Sequence, residues 1–78
     1  MLTAEVSLYP QKTTSASQII NNSIDTLRQY DLQTQVGSMS TRLQGTDQEV
    51  WAGLQSLFYK ASNQSEVNMV VTISNSAF

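Results

Sequence analysis
Apolar and polar residues alternate strictly at the start of the chain: Leu2, Ala4, Val6 and Leu8 are separated by Thr3, Glu5, Ser7 and Tyr9. A period of two is the mark of a half-covered strand, and Pro10 closes the run. After a polar stretch at 11–14, Ser15 and Gln18 have the spacing of a capping box, which predicts a helix reaching Tyr30 or Asp31. Ile20, Ile24 and Leu27 form its apolar stripe, with Ala16, Ser23 and Asp31 close to it by angle. Leu32 to Val36 reads as a weaker strand, Gly37 and Ser38 as a turn, Met39 to Gln44 as a third strand, and Gly45 as its exit. Thr46 and Glu49 make a second capping box, and Val50, Leu54, Leu57, Phe58 and Ala61 recur at helical spacing, with Trp51 at the margin beside Phe58. Beyond 62–65, Val67, Met69, Val71 and Ile73 alternate with Asn68, Val70, Thr72 and Ser74, a fourth strand; the tail from Asn75 to Phe78 is expected to fray.

The predicted order is strand, helix, strand, strand, helix, strand. It defines an α+β fold of the ferredoxin-like βαββαβ type, a four-stranded antiparallel sheet with two helices on one face, built as a single domain over residues 1–78. Strands one and three are central neighbours in that topology. Leu8 and Thr41 therefore both project toward the helices and can contact one object lying between sheet and helices.

Composition narrows the chemistry. The 78 residues contain neither cysteine nor histidine, which removes disulfides, thiolate metal sites, the usual general base and the commonest neutral metal ligand. Non-catalytic function is the expectation, with no metal and no cofactor. Charged residues are 13% of the chain, the formal net charge is −2, and Lys12, Arg28, Arg42 and Lys60 are scattered singly. Such a chain offers no basic stripe for nucleic acid. No apolar run approaches the roughly 20 residues of a membrane span and no signal-like segment opens the chain, so a cytoplasmic location is expected. At this size the core is small, and self-association would add to it.

Thr41 is the polar residue on the covered side of the third strand. A buried hydroxyl without a partner costs about 1–3 kcal/mol, so Thr41 bonds to backbone, water or a ligand. The segments Leu8-Tyr9-Pro10, Gly37-Ser38-Met39-Ser40-Thr41, Leu43-Gln44-Gly45 and the helix start near Glu49-Val50, in this order and spacing, resemble the small YkoF-like thiamine-binding proteins. The resemblance spans essentially the whole chain; it departs from the family pattern at Ser38, where proline often precedes the methionine, and in the low charge.

What the resemblance implies is reversible, non-catalytic binding of thiamine or its hydroxymethylpyrimidine moiety between sheet and helices, by a carrier or sensor. Thiamine would be a bound ligand and not a catalytic cofactor. Leu8 and Thr41 match the family's ligand-contacting positions in residue type, and relatives assemble as homodimers or homotetramers. Around these two, Ser38, Met39 and Ser40 supply turn hydroxyls and backbone groups. By helical angle, and apart from the resemblance, Ser23 is the residue best aimed toward the pocket among Asn21, Asn22 and Ser23, and the Trp51 ring either stacks on a ligand or seals the core edge. An amino-acid-binding regulatory module of the same topology and a purely structural oligomerisation domain are the alternatives. An acylphosphatase-like enzyme lacks its phosphate cradle.

Overall fold
A computed structural model of the chain describes residues 1–76. Its first strand, β1 (Leu2–Gln11), is followed by helix α1 (Ala16–Asp25), which passes directly into a 3₁₀ turn at Thr26–Gln29. Strands β2 (Gln33–Val36) and β3 (Thr41–Gly45) form a hairpin, helix α2 (Asp47–Ser62) follows, and β4 (Glu66–Ser74) returns to the sheet. All pairings are antiparallel and the sheet order is β2-β3-β1-β4. Both helices contact β1 and each other on one side of the sheet, so the architecture is the ferredoxin-like α+β fold that the alternation predicts.

Register fixes which side chains share the covered face. Val6 stands opposite Thr41 on β3 and Val71 on β4, Ala4 opposite Leu43 and Ile73, and Leu8 opposite Met69. Val6, Ala4 and Leu43 join Leu2, Leu27, Val50, Leu54 and Leu57 in one core, against which Leu8, Ile24, Leu32, Met69 and Val71 pack. Each fully buried leucine there contributes about 1.5–3 kcal/mol relative to exposure. Among the described residues no helix is long and apolar enough to cross a membrane.

The boundaries differ from the sequence reading in instructive ways. Strand β1 continues through Pro10 to Gln11, because beyond Val6 its ladder partner is β4 alone and a missing N–H is tolerated on a half-free strand. Ser15 occupies the N-cap of α1 but makes no side-chain cap bond, so the first capping box does not form; its φ of −115° and ψ of 33° lie outside the extended region that aims a cap hydroxyl at the helix. Instead the Ser15 N–H donates to Thr13 Oγ1 at 3.0 Å. The α-helix stops at Asp25, short of Tyr30. Ser23 Oγ donates to the Ile19 carbonyl and Thr26 Oγ1 to the Ser23 carbonyl, both at 2.7 Å, and this back-bonding accompanies the tightening into the 3₁₀ turn.

The buried line of the first helix is Ile19, Ser23 and Leu27, with Ile20 and Ile24 half-buried beside it. Strand β3 begins at Thr41 instead of Met39, because residues 37–40 form a loop closed by the Gly37 N–H on the Ser40 carbonyl at 2.9 Å. The second helix starts as read, with Thr46 Oγ1 accepting from the Glu49 N–H at 3.2 Å, and Val50, Leu54, Leu57 and Ala61 are buried with Gly53, while Phe58, expected on the same stripe, is only half-buried. Gly45 serves space and not turn geometry. A Cβ there would lie 2.8 Å from Leu32 Cδ2, and one at Gly53 would lie 2.8 Å from Leu32 Cδ1, so the two glycines admit the Leu32 side chain between β3 and α2. Of the tail expected to fray, Ala77 and Phe78 lie outside the described residues, while Asn75 and Ser76 are exposed beyond β4 and the Ser76 N–H donates to Ser74 Oγ at 3.0 Å.

Candidate functional site
The far half of β1, the hairpin loop and α1 do not close on one another completely. They leave a cleft of about 240 Å³ between sheet and helix, with Leu57 of α2 also in its lining. Its sheet side is Val6, Ser7 and Leu8 of β1 with Thr41 of β3; its helix side is Ser17, Ile20, Asn21 and Ile24. Val36 and the loop residues Gly37, Ser38, Met39 and Ser40 form the rim. Apolar side chains thus face one another from helix and sheet, and hydroxyls and one amide mark the edge.

Thr41 is placed by its pairing with Val6 on one side and Val36 on the other, and is only 5% exposed. No side-chain hydrogen bond of Thr41 is found among the described residues, and no fully buried side-chain polar atom there lacks a partner. The hydroxyl therefore stays in reach of the cleft, without a protein group to satisfy it. Leu8, half-buried opposite Met69, stands on the same side of the sheet.

Two hydrogen bonds hold the rim. Ser7 Oγ donates to the Met39 carbonyl at 3.2 Å, and Ser40 Oγ donates to Glu5 Oε2 at 3.1 Å. Glu5 also meets Arg42 at 3.4 Å, so this carboxylate is engaged on the open face of the sheet, away from the cleft lining. The Met39 side chain is 83% exposed, and Ser38 is exposed at the loop tip. No Asp, Glu, Lys or Arg lines the cleft, and no cluster of three potential metal-ligating residues occurs among the described residues.

Of the residues singled out by sequence, Leu8, Ser38, Met39, Ser40 and Thr41 come together at this cleft; Ser23 and Trp51 do not. Ser23 is fully buried and bonded to its own helix at Ile19. Trp51 lies on a separate groove of about 680 Å³ between α2 and β4, with Phe58, Tyr59, Met69, Val71 and Ile73. Sequence reasoning missed Ser17 and passed over Asn21, both on the cleft. The signal was present, since Ser17, Ile20, Asn21 and Ile24 recur at helical spacing on a second face adjoining the core stripe.

Known structures share this architecture. The hypothetical protein MJ1052 of Methanocaldococcus jannascii is similar at 26% identity over 97% of this chain and 80% of its own, with a TM-score of 0.87. Protein SP2199 of Streptococcus pneumoniae is similar at 18% identity, covering 97% of this chain and 87% of its own, TM-score 0.89. TM0486 of Thermotoga maritima, a protein provisionally assigned to thiamine biosynthesis or salvage, is similar at 14% identity over 96% of this chain and 83% of its own, TM-score 0.83. Comparison with functionally curated proteins returns no match. The model of the YKOF-related family matches residues 2–77, nearly the whole chain, and the protein belongs to that family.

Proposed function
We propose that the protein binds thiamine, or its hydroxymethylpyrimidine moiety, in the cleft between α1 and the β1–β3 sheet, as a carrier or sensor that does not alter the ligand. The observation that carries this reading is Thr41: a nearly buried hydroxyl on the cleft with no side-chain hydrogen bond among the described residues. An aminopyrimidine offers ring nitrogens and an amino group to such a hydroxyl, and flat faces to Leu8, Ile20 and Ile24. The volume of about 240 Å³ is below the range of pockets for drug-sized ligands, about 300–1,000 Å³, and suits a single ring. Family membership and the likeness to a protein provisionally assigned to thiamine biosynthesis or salvage point the same way.

A role in capture, and not in chemistry, fits the lining. Hydroxyls and one amide cannot supply a general acid or base that works near neutrality, and the lining has no carboxylate for activating a thiamine-type cofactor. Titration calorimetry with thiamine, thiamine phosphate, free hydroxymethylpyrimidine and a panel of amino acids tests the proposal. Saturable binding of thiamine or the pyrimidine, with thiamine phosphate weaker because the lining has no cation to receive it, is the expected result. Binding of an amino acid alone would replace this reading with that of a regulatory module.

A further inference from the structure
We propose that Asn21 sets the class of ring the cleft accepts: its carboxamide pairs with a pyrimidine edge that carries an exocyclic polar group beside a ring nitrogen. The inference rests on the reading of the cleft as a pyrimidine site, and adds to it a contact from the helix side, opposite Thr41 on the sheet. Asn21 lies on α1 one turn beyond Ser17, between Ile20 and Ile24, and carries the one carboxamide of a lining that contains no Asp, Glu, Lys or Arg. Its side chain is exposed and makes no hydrogen bond within the chain among the described residues. The polar residues that follow it are placed differently: Asn22 is exposed off the cleft, and Ser23 returns its proton to the Ile19 carbonyl. Asparagine is a poor helix former away from the caps, so in the middle of a ten-residue helix Asn21 gives α1 nothing that alanine would not supply better.

The carboxamide differs from the hydroxyls around it in what it can hold. A hydroxyl gives and accepts at one atom, and two of those at the rim, Ser7 and Ser40, are already donating to the Met39 carbonyl and to Glu5. A carboxamide sets a donor and an acceptor side by side in one plane, the geometry with which Asn and Gln read the amino group and adjacent ring nitrogen of adenine. An aminopyrimidine offers the same pair: its amino group donates to Asn21 Oδ1 and its ring nitrogen accepts from Asn21 Nδ2. Turned over about its last torsion, the same amide receives an oxopyrimidine, whose carbonyl accepts from Nδ2 and whose ring N–H donates to Oδ1. The ligand class is therefore a small pyrimidine, amino or oxo, with a donor and an acceptor adjacent on one edge.

The pairing also selects a protonation state. A protonated ring nitrogen has no lone pair for the Nδ2 proton, so Asn21 favours the neutral aminopyrimidine and affinity falls on acidification. A carboxylate at this position inverts the preference, because the two donors of the protonated ring then meet two acceptors. No titratable side chain lines the cleft from any element around it. The nearest along α1, Asp25, pairs on exposed surface with Arg28 at 3.6 Å; Glu5 of β1 is held by Ser40 and Arg42 on the open face; the loop at 37–40 has none, and α2 presents Leu57.

Calorimetry with hydroxymethylpyrimidine, its oxo counterpart and the analogue lacking the amino group tests the proposal on the unaltered chain, Asn21→Ala, Asn21→Asp and Asn22→Asp. The unaltered chain should bind the amino and oxo compounds within about tenfold of each other, and the third about fivefold or more weakly. Asn21→Ala should lose about fivefold or more for the first two and nothing for the third, with its circular dichroism unchanged. Between about pH 8 and about pH 5, where an aspartate is ionised, affinity for hydroxymethylpyrimidine should fall in the unaltered chain and in Asn22→Asp, and rise in Asn21→Asp. Asn22→Asp adds the same charge off the cleft, so it separates pairing with the ring edge from charge alone. An equal loss for all three compounds in Asn21→Ala, or a fall on acidification in Asn21→Asp, overturns the proposal and leaves the cleft a pyrimidine site. No saturable binding of any of the three by the unaltered chain overturns both.

Discussion
Thr41 and Ser23 are both hydroxyl residues on covered surfaces, and they meet the cost of burial in different ways. Ser23 returns its proton to the Ile19 carbonyl one turn earlier at 2.7 Å, so it needs nothing from outside. Thr41 sits at the start of a strand, where its neighbours' backbone groups are committed to the ladder, and its hydroxyl is left to the cleft. Thr41→Val should therefore weaken pyrimidine binding by about 1–2 kcal/mol in calorimetry while leaving the urea midpoint nearly unchanged, since no protein hydrogen bond is lost. Ser23→Ala should leave affinity unchanged and shift stability by less than about 1 kcal/mol, the lost bond being offset by the better helix propensity of alanine. Strand parity made Thr41 legible from sequence alone. Helical angle could place Ser23 near the boundary, but it could not say that the hydroxyl would turn back on its own helix, nor that Asn21 one face away would reach the cleft.

At the scale of elements, the loop at 37–40 turns a sheet edge into the rim of a site. Its position depends on the Ser7 hydroxyl, which reaches from β1 to the Met39 carbonyl at 3.2 Å. Ser7→Ala should free the loop without unfolding the sheet: the Gly37 amide should exchange faster with solvent, and pyrimidine affinity should fall by about 0.5–1.5 kcal/mol. Strands β1 and β4 and the second helix were readable because alternation in the strands and a real N-cap in the helix agree with burial, whereas β2, exposed at all four residues, was marked mainly by the turn signal that follows it. The loop was not, because Met39, Thr41 and Leu43 continue a period of two that gives no sign of where pairing stops. Nor was the early end of α1, where Ser and Thr back-bonding, invisible to an apolar stripe, shortens a helix that the pattern would have prolonged to Tyr30. Leu32 between Gly45 and Gly53 is a third case: Gly45 reads as a strand exit until the side chain that the two glycines accommodate is seen.

Over the whole molecule, charge is sparse and lies away from the cleft. The carboxylate of Glu5 is held by Ser40 and Arg42 on the open face, and Lys12 with Glu66 and Arg28 with Asp25 pair on exposed surface. Binding of a neutral pyrimidine should then vary by less than about twofold between low salt and physiological ionic strength, a range over which a charge-lined site would respond. Isothermal titration at several salt concentrations reads this directly.

The central claim, that the cleft beside Thr41 receives the pyrimidine ring, is tested most directly by amide chemical-shift mapping during a titration with hydroxymethylpyrimidine. The account expects saturable shifts concentrated at Leu8, Ile20, Asn21, Gly37 to Thr41 and Ile24, with Trp51 and Tyr59 unmoved. Shifts centred instead on Trp51, Tyr59 and Val71, or no saturable shift at all, would contradict it.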